Sequence, residues 1–315
     1  MMKISTSTIS VIKTRGLETG MKALADAGFE AIDYSLTQNG LPLDIDFLQN
    51  ASSAEFSAHF KSIARTIRAS GLEIGQCHAP YGSTTVDTFE IYEPLLHHTI
   101  RSIYAAGYME APYIVAHPVL HRDFCNGQNR DRGIQATIEY FSAMVPALKA
   151  TGVIMCIENL FFTVGKGLPK ATNICSDSDD LCTVIDTLND MHGPHFAACV
   201  DTGHAVIAHQ DPCQLLTALG SRTKALHIQD NRGMKDDHLL PVQGMIHWKD
   251  VAQTLGKVGY QGTFNFEVTP IFTNLPPEVY PQDAFLQACR FLYSIGRSLA
   301  DIAENTFAAN GYRPL

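Results

Sequence analysis

The 315-residue sequence predicts a single (β/α)8 barrel over residues 1–315, on three observations. Eight short apolar runs alternate with helix-like segments of roughly 10 to 20 residues, about the crossover length that parallel strands need. No linker or shift of composition divides the chain. No glycine-rich loop follows the first run, and neither GxGxxG nor GxxxxGK[ST] occurs, so a doubly wound sheet would lack its usual phosphate cradle.

In order, the first strand is expected over Lys3–Ile9, followed by a helix around Gly20–Ala27. Phe29–Leu36 reads as a strand carrying Asp33, and Ser53–Ser70 as a helix with Phe56, Phe60, Ile63 and Ile67 on one face. EIGQCHAPY brings His78 to a strand end; a long helix over Thr88–Ala106 and the run APYIVAHPV then deliver His117 just before Pro118. A helix over Ile134–Ala150 closes with TG, a common carboxyl-terminal stop, and VIMCIENL carries Glu158. Ser178–Leu188 is a helix with acidic residues in its first turn, which suits the helix dipole. FAACVDTGHA ends its strand at Asp201, DPCQLLTALGSRTK is helix-like, and the strand from Ala225 passes through His227. Trp248–Lys257 is a helix, TFNFEV is the eighth strand with Glu267, and Gln282–Glu304 is a last amphipathic helix.

Composition narrows the function classes. Hydrophobic residues are 45% and charged ones 17%, as in an ordinary globular domain, and 23 basic against 32 acidic residues give a net charge of -9, which disfavours a nonspecific polyanion binder. MMKISTSTIS shows no secretory h-region and no later run is long enough to span a bilayer, so a cytosolic location without membrane attachment is the expectation. The eight cysteines form no CxxC pair, and Cys77, Cys156 and Cys199 lie inside strand-like runs; buried thiols are expected, not disulfides or a thiolate zinc site.

The chemistry sits at the strand ends. His78, His117, Glu158, Asp201, His227 and Glu267 each close an apolar run, and in a barrel all such ends open on one mouth. Imidazoles with carboxylates suit an open divalent-metal site: zinc or manganese first, with iron, cobalt or magnesium as alternatives. A hydrogen-bonded structural role is the alternative for a lone histidine such as His78 or His117, a cap of the following helix for His204, and a solvated surface for Asp230, Asp236 and His238 in their charged loop. Glu158, following VIMCI, needs a strong partner in a desolvated interior. Tyr81, Phe161, Phe162 and Trp248 are aromatic candidates for lining the mouth and packing on a substrate face.

The motifs IEN at 157–159, DTGH at 201–204, HIQDN at 227–231, DDHLLPVQG at 236–244 with IHW at 246–248, and FEV at 266–268 resemble the xylose isomerase-like barrel superfamily. That group holds sugar and sugar-phosphate isomerases and epimerases together with the type IV apurinic endonucleases. The resemblance to its ketose epimerases implies one divalent metal on Glu158, Asp201, His227 and Glu267, with the two glutamates as acid and base. It further implies a substrate-hydroxyl contact for His204 and substrate contacts for Arg232, one residue short of the epimerase arginine spacing, and for Trp248. The endonuclease branch implies a trinuclear zinc site, for which His78, His117, His204, Asp236 and His238 would be additional ligands. Against that branch, the loop HLLPVQGMIHW is nearer the isomerase form, and no basic, aromatic-interleaved segment suggests a grip on nucleic acid. The expected reaction is removal of a proton next to a carbonyl through an enediolate, on a carbohydrate or cyclitol. A zinc phosphodiesterase and a non-catalytic metal- or sugar-binding barrel are the alternatives. Lys166, Lys170 and Arg232 are too scattered to decide whether the substrate is phosphorylated, and the sequence leaves the oligomeric state open, with a homodimer one option because barrels of this kind commonly pair.

Overall fold

A computed structural model describes residues 1–36, 47, 50–80, 92–163 and 170–310. Six strands run parallel in one sheet: β2 (Ala31–Ser35), β3 (Glu73–His78), β4 (Tyr113–Ala116), β5 (Ile154–Glu158), β8 (Phe196–Asp201) and β9 (Thr223–His227), in that order. Two more, β1 (Ile4–Thr6) and β10 (Phe264–Phe266), pair parallel with each other. Single bridges join Ser7 to Asp33 and Ile228 to Phe266, so the pair stitches the edges of the six-stranded sheet together and the ring of eight closes.

The helices surround the ring: α1 (Ile9–Arg15), α2 (Leu17–Ala27), α3 (Ser53–Ala69), α4 (Tyr92–Tyr108), α5 (Arg130–Ser142), α6 (Val145–Thr151), α7 (Ser178–His192), α8 (Thr202–Ile207), α9 (Pro212–Leu219), α10 (Trp248–Lys257), α11 (Pro270–Thr273) and α12 (Gln282–Ala309). Their apolar stripes face the strands. On α3, Phe56, Phe60, Ala64 and Ile67 are buried, and Ser52 with Glu55 forms a capping box that satisfies orphan amides at its start. Among the described residues no helix is long and apolar enough to cross a membrane.

The strand alternation expected from the sequence is present, with three local differences. The expected helix over Ile134–Ala150 is two helices, α5 and α6. Pro146 stands in the first turn of α6, where it lacks the N–H that a continuous helix would use. An antiparallel hairpin of β6 (Phe161–Thr163) and β7 (Lys170–Thr172) follows β5, where no strand pair was expected. The last strand is short and ends at Phe266, leaving Glu267 one residue beyond it. The start of the expected helix at Thr88, together with Tyr81 and Lys166, lies outside the described residues, as does the Lys170 side chain.

Inside the ring, side chains repeat every second residue. Val115, Cys156, Ala197, Cys199 and Ala225 form a small interior cluster. Two residues further along the same strands stand His117, Glu158, Asp201 and His227, so inward parity alone carries them to the mouth. All eight cysteines are free.

A candidate metal centre at the barrel mouth

Glu158, the last residue of β5, is the hub. Its side chain is 1% exposed and meets four imidazoles. His227 Nδ1 lies 2.7 Å and His204 Nδ1 3.4 Å from Oε1, while His117 Nε2 lies 3.1 Å and His78 Nε2 3.3 Å from Oε2. Burial pushes the Glu158 carboxyl up, but the imidazoles of His227, His117 and His78 outweigh it and hold it well below the usual range. The strong partner that its position demanded is therefore a ring of histidines.

Asp201 ends β8 and caps α8, its Oδ1 accepting from the His204 amide at 2.6 Å. The cap places the His204 ring over Glu158 and leaves Oδ2 of Asp201 toward the mouth; the cap is thus Asp201, and His204 is free for the site. Burial pushes the Asp201 carboxyl up to about 7, against the pull of His204. His227, fully buried at the end of β9, aims Nδ1 at Glu158 and at Glu267 Oε2, 3.4 Å away. Burial lowers His227 and His204, but neighbouring groups outweigh it and both stand well above the ordinary imidazole value: the buried Cys199 sulfur with the Glu158 and Glu267 carboxylates on the first, the Asp201 and Asp236 carboxylates on the second.

The ligand atoms of Glu158, Asp201, His227 and Glu267 all lie within 4.8 Å of one another, and so do those of His78, His117 and Glu158. Three carboxylates and an imidazole around one small buried space fit a divalent cation, and without compensation such a cluster of anions would repel itself. His204, Asp236 and His238 extend the array: Asp236 Oδ2 lies 3.3 Å from His204 Nε2 and 3.0 Å from His238 Nε2. His238, held at a φ of 47° with Nδ1 against the Glu267 carbonyl at 2.8 Å, stands at about 10, because Glu267 and Asp236 outweigh its burial.

All nine predicted ligand candidates therefore converge, and the two substrate candidates do not join them. Trp248 is 5% exposed within the main core and donates its indole N–H to Asp230 Oδ2 at 2.9 Å; this corrects its expected place at the mouth, because burial leaves no ring face for a sugar. Arg232 is exposed on the loop after β9. Among the other aromatics, Phe162 is buried with Leu120, Cys125, Leu160 and Ala171, a second correction, whereas Phe161 packs edge-on against His204 at 5.3 Å.

Two supporting residues were not singled out by sequence, and a third, Asp230, was read there as solvated. Asn159 clips β5 to β8, accepting from the Asp201 amide at 2.7 Å and donating to its carbonyl at 2.8 Å. Gln229 donates to Asp236 Oδ1 at 2.7 Å. Asp230 is fully buried, which corrects the solvated reading of it: its carboxylate gathers the amides of Asn231, Gly244 and Ile246 and the Trp248 indole. Their signal was available for Asn159 and Gln229, polar residues beside strand-end ligands, but not for Asp230.

Fold and site together define a closed (β/α)8 barrel with a carboxylate–imidazole cluster at the carboxyl-terminal mouth of its strands. The chain belongs to the xylose isomerase-like TIM barrel family, whose profile matches residues 21–295. An uncharacterized protein of Sinorhizobium fredii is 38% identical over 107 residues, 34% of this chain and 34% of its own length, so the match spans about a third of that relative. The 3-keto-D-glucoside 4-epimerase YcjR of E. coli, in its apo form, superposes with a TM-score of 0.67 at 16% identity, covering 93% of this chain and 100% of that one. The IolI protein with a bound zinc atom superposes with a TM-score of 0.70 at 14% identity, covering 97% and 99%. At these identities the two structures are alike in fold.

Proposed function

We propose that the chain is a divalent-metal-dependent sugar isomerase or epimerase in which Glu158 and Glu267 form the acid–base pair. The observation that carries this reading is the convergence of Glu158, Asp201, His227 and Glu267, with all ligand atoms within 4.8 Å. The fold likeness to a sugar epimerase and to a zinc-binding protein supports it. Zinc or manganese suits the mixed oxygen and nitrogen donors; when bound, the cation supplies Lewis acidity to the substrate oxygens and so favours an enediolate.

The residues supply the rest. The imidazoles around Glu158 keep it ionised and therefore able to accept a proton from carbon. Glu267 arrives from the far side of His227, its side chain 18% exposed toward the mouth, where it can return a proton to the other face. Two carboxylates on separate strands are what inversion needs. His204, Asp236 and His238 offer hydroxyl contacts beside Phe161.

The test combines metal content with a screen of ketoses, inosose-type cyclitols and abasic-site DNA. One tightly bound ion per chain and solvent deuterium at the epimerised carbon are expected, with turnover falling about 10²–10⁴-fold in Glu158→Gln while the fold is kept. Unchanged turnover in Glu158→Gln overturns the assigned role. A second reading, a zinc phosphodiesterase, is favoured by one observation: the array continues past four ligands, through His78 and His117 on one side and His204, Asp236 and His238 on the other. Three zinc ions per chain with cleavage of abasic DNA would establish that reading in place of the first.

A further inference from the structure

The barrel interior below the cluster is divided. Around β4, β5, β8 and β9 it holds Val115, Cys156, Ala197, Cys199 and Ala225. Around β10, β1, β2 and β3 it holds Asn265, Ser5, Asp33 and Gln76, each no more than 1% exposed. A barrel interior is ordinarily packed with branched apolar side chains, and a buried carboxylate is costly unless donors surround it. Here they do. Ser5 Oγ donates to Asn265 Oδ1 at 2.7 Å, and Asn265 Nδ2 and Gln76 Nε2 donate to Asp33 Oδ2 at 3.3 and 3.1 Å. A register shift after Ile32 leaves Gly75 over and sets Asp33 opposite Gln76, so a bulge in the ladder aims this pair. The third group on Asp33 Oδ2 is His227 Nε2, at 3.1 Å.

We propose that Asp33 is a positioning residue for the metal centre: held by Gln76 and Asn265, its carboxylate receives the Nε2–H of His227 and so presents Nδ1 as the ligand atom. The inference rests on the metal reading above. An imidazole whose proton is fixed on one nitrogen keeps its lone pair on the other. Nδ1 is the nitrogen that faces the cluster, 2.7 Å from Glu158 Oε1 and 3.4 Å from Glu267 Oε2. The ring is fully buried and stacked on His78 with centroids 5.3 Å apart and planes 14° from parallel, and turning it over within that plane would break the Asp33 bond. A carboxylate behind a ligating histidine also makes the imidazole a better donor to the ion.

The test uses the full chain with zinc as probe. Asp33→Asn keeps the side chain's size and removes its charge. Zinc affinity, read by competition with a chromogenic chelator, should fall about 10–100-fold, while the melting temperature of the metal-free protein is not lowered. An Asp33→Asn protein that holds zinc as tightly as the unmodified chain overturns the proposal. Should that variant fail to fold, nitrogen NMR of the zinc-loaded unmodified chain decides, with His227 assigned by its loss in His227→Gln. Protonated Nε2 with metal-bound Nδ1 supports the proposal, and the reverse tautomer overturns it. An unmodified chain that takes up no zinc overturns the metal reading itself, and this inference with it, which is a different result from tight binding indifferent to Asp33.

Discussion

Asp230 anchors the loop that carries Asp236 and His238 to the mouth. Its two carboxylate oxygens accept from Asn231 N at 3.0 Å, Gly244 N at 3.0 Å, Ile246 N at 3.3 Å and Trp248 Nε1 at 2.9 Å. Asp230→Ala leaves four donors without their acceptor. At about 1–3 kcal/mol for each donor left unmade, with water recovering part, a loss of roughly 3–5 kcal/mol is expected. The chain has a single tryptophan, so Trp248 fluorescence reads the same event as a red shift. Unchanged emission together with an unchanged denaturation midpoint would refute this account. Gly244→Ala should act in the same direction, because its Cβ would stand 2.1 Å from Asp230 Oδ1 and 2.3 Å from the Asn231 carbonyl. The contrast with Glu158, Asp201, His227 and Glu267 explains what sequence could show at this scale. Those four close apolar runs, where a charged group has few structural uses. Asp230 stands in a polar loop, and nothing in its neighbours distinguishes a carboxylate that collects buried amides from one that faces water. Trp248 was misplaced for the same reason: its partner is set by the loop's path, not by its own surroundings in the chain.

At the scale of elements, the rhythm of strand and helix was legible because each barrel strand is a compact apolar run and each long helix keeps a stripe. The β6–β7 hairpin was not, since two strands of three residues are shorter than any periodicity can register. The break between α5 and α6 was written in Pro146, but a continuous amphipathic pattern on both sides hides it. Helix packing is likewise invisible until the elements are in place. Gly256 on α10 is an example: a Cβ there would meet the Ala303 carbonyl at 2.3 Å and Thr306 Cβ at 2.7 Å on α12. Helix propensity alone favours alanine over glycine by about 1 kcal/mol. Overpacking against a backbone that belongs to a 28-residue helix costs about 1–3 kcal/mol and cannot be relieved by a rotamer change. The second effect wins, so Gly256→Ala is expected to lower stability by about 1–2 kcal/mol in denaturant unfolding. A variant as stable as the unmodified chain would mean that α10 and α12 approach less closely than described.

For the molecule as a whole, the mouth is a store of protons on a chain of net charge -9. Burial works against charge on His204 and His227, yet the neighbouring groups outweigh it and raise both, while burial holds Asp201 at about 7 and the balance at His238 is about 10. Of these, the protons on Asp201 and His227 occupy donor atoms that a divalent cation would use. Ion uptake therefore releases protons, and its apparent affinity must rise with pH. The rise is steep below about 7 and slackens above it, once Asp201 gives up its proton unaided, while His227, held well above the ordinary imidazole value, still has a proton to release. Calorimetric titration with zinc in buffers of different ionisation enthalpy should show net proton release per ion. The same linkage appears in unfolding, because an ion that binds only the folded chain stabilises it by about 2.7 kcal/mol at a hundredfold excess over Kd, a shift of about 4 °C in Tm for a chain of this length. At one fixed zinc concentration, that shift should be larger at pH 8 than at pH 6 and should vanish with a chelator. A pH-independent affinity would mean that the raised histidines and Asp201 are not the groups that meet the ion.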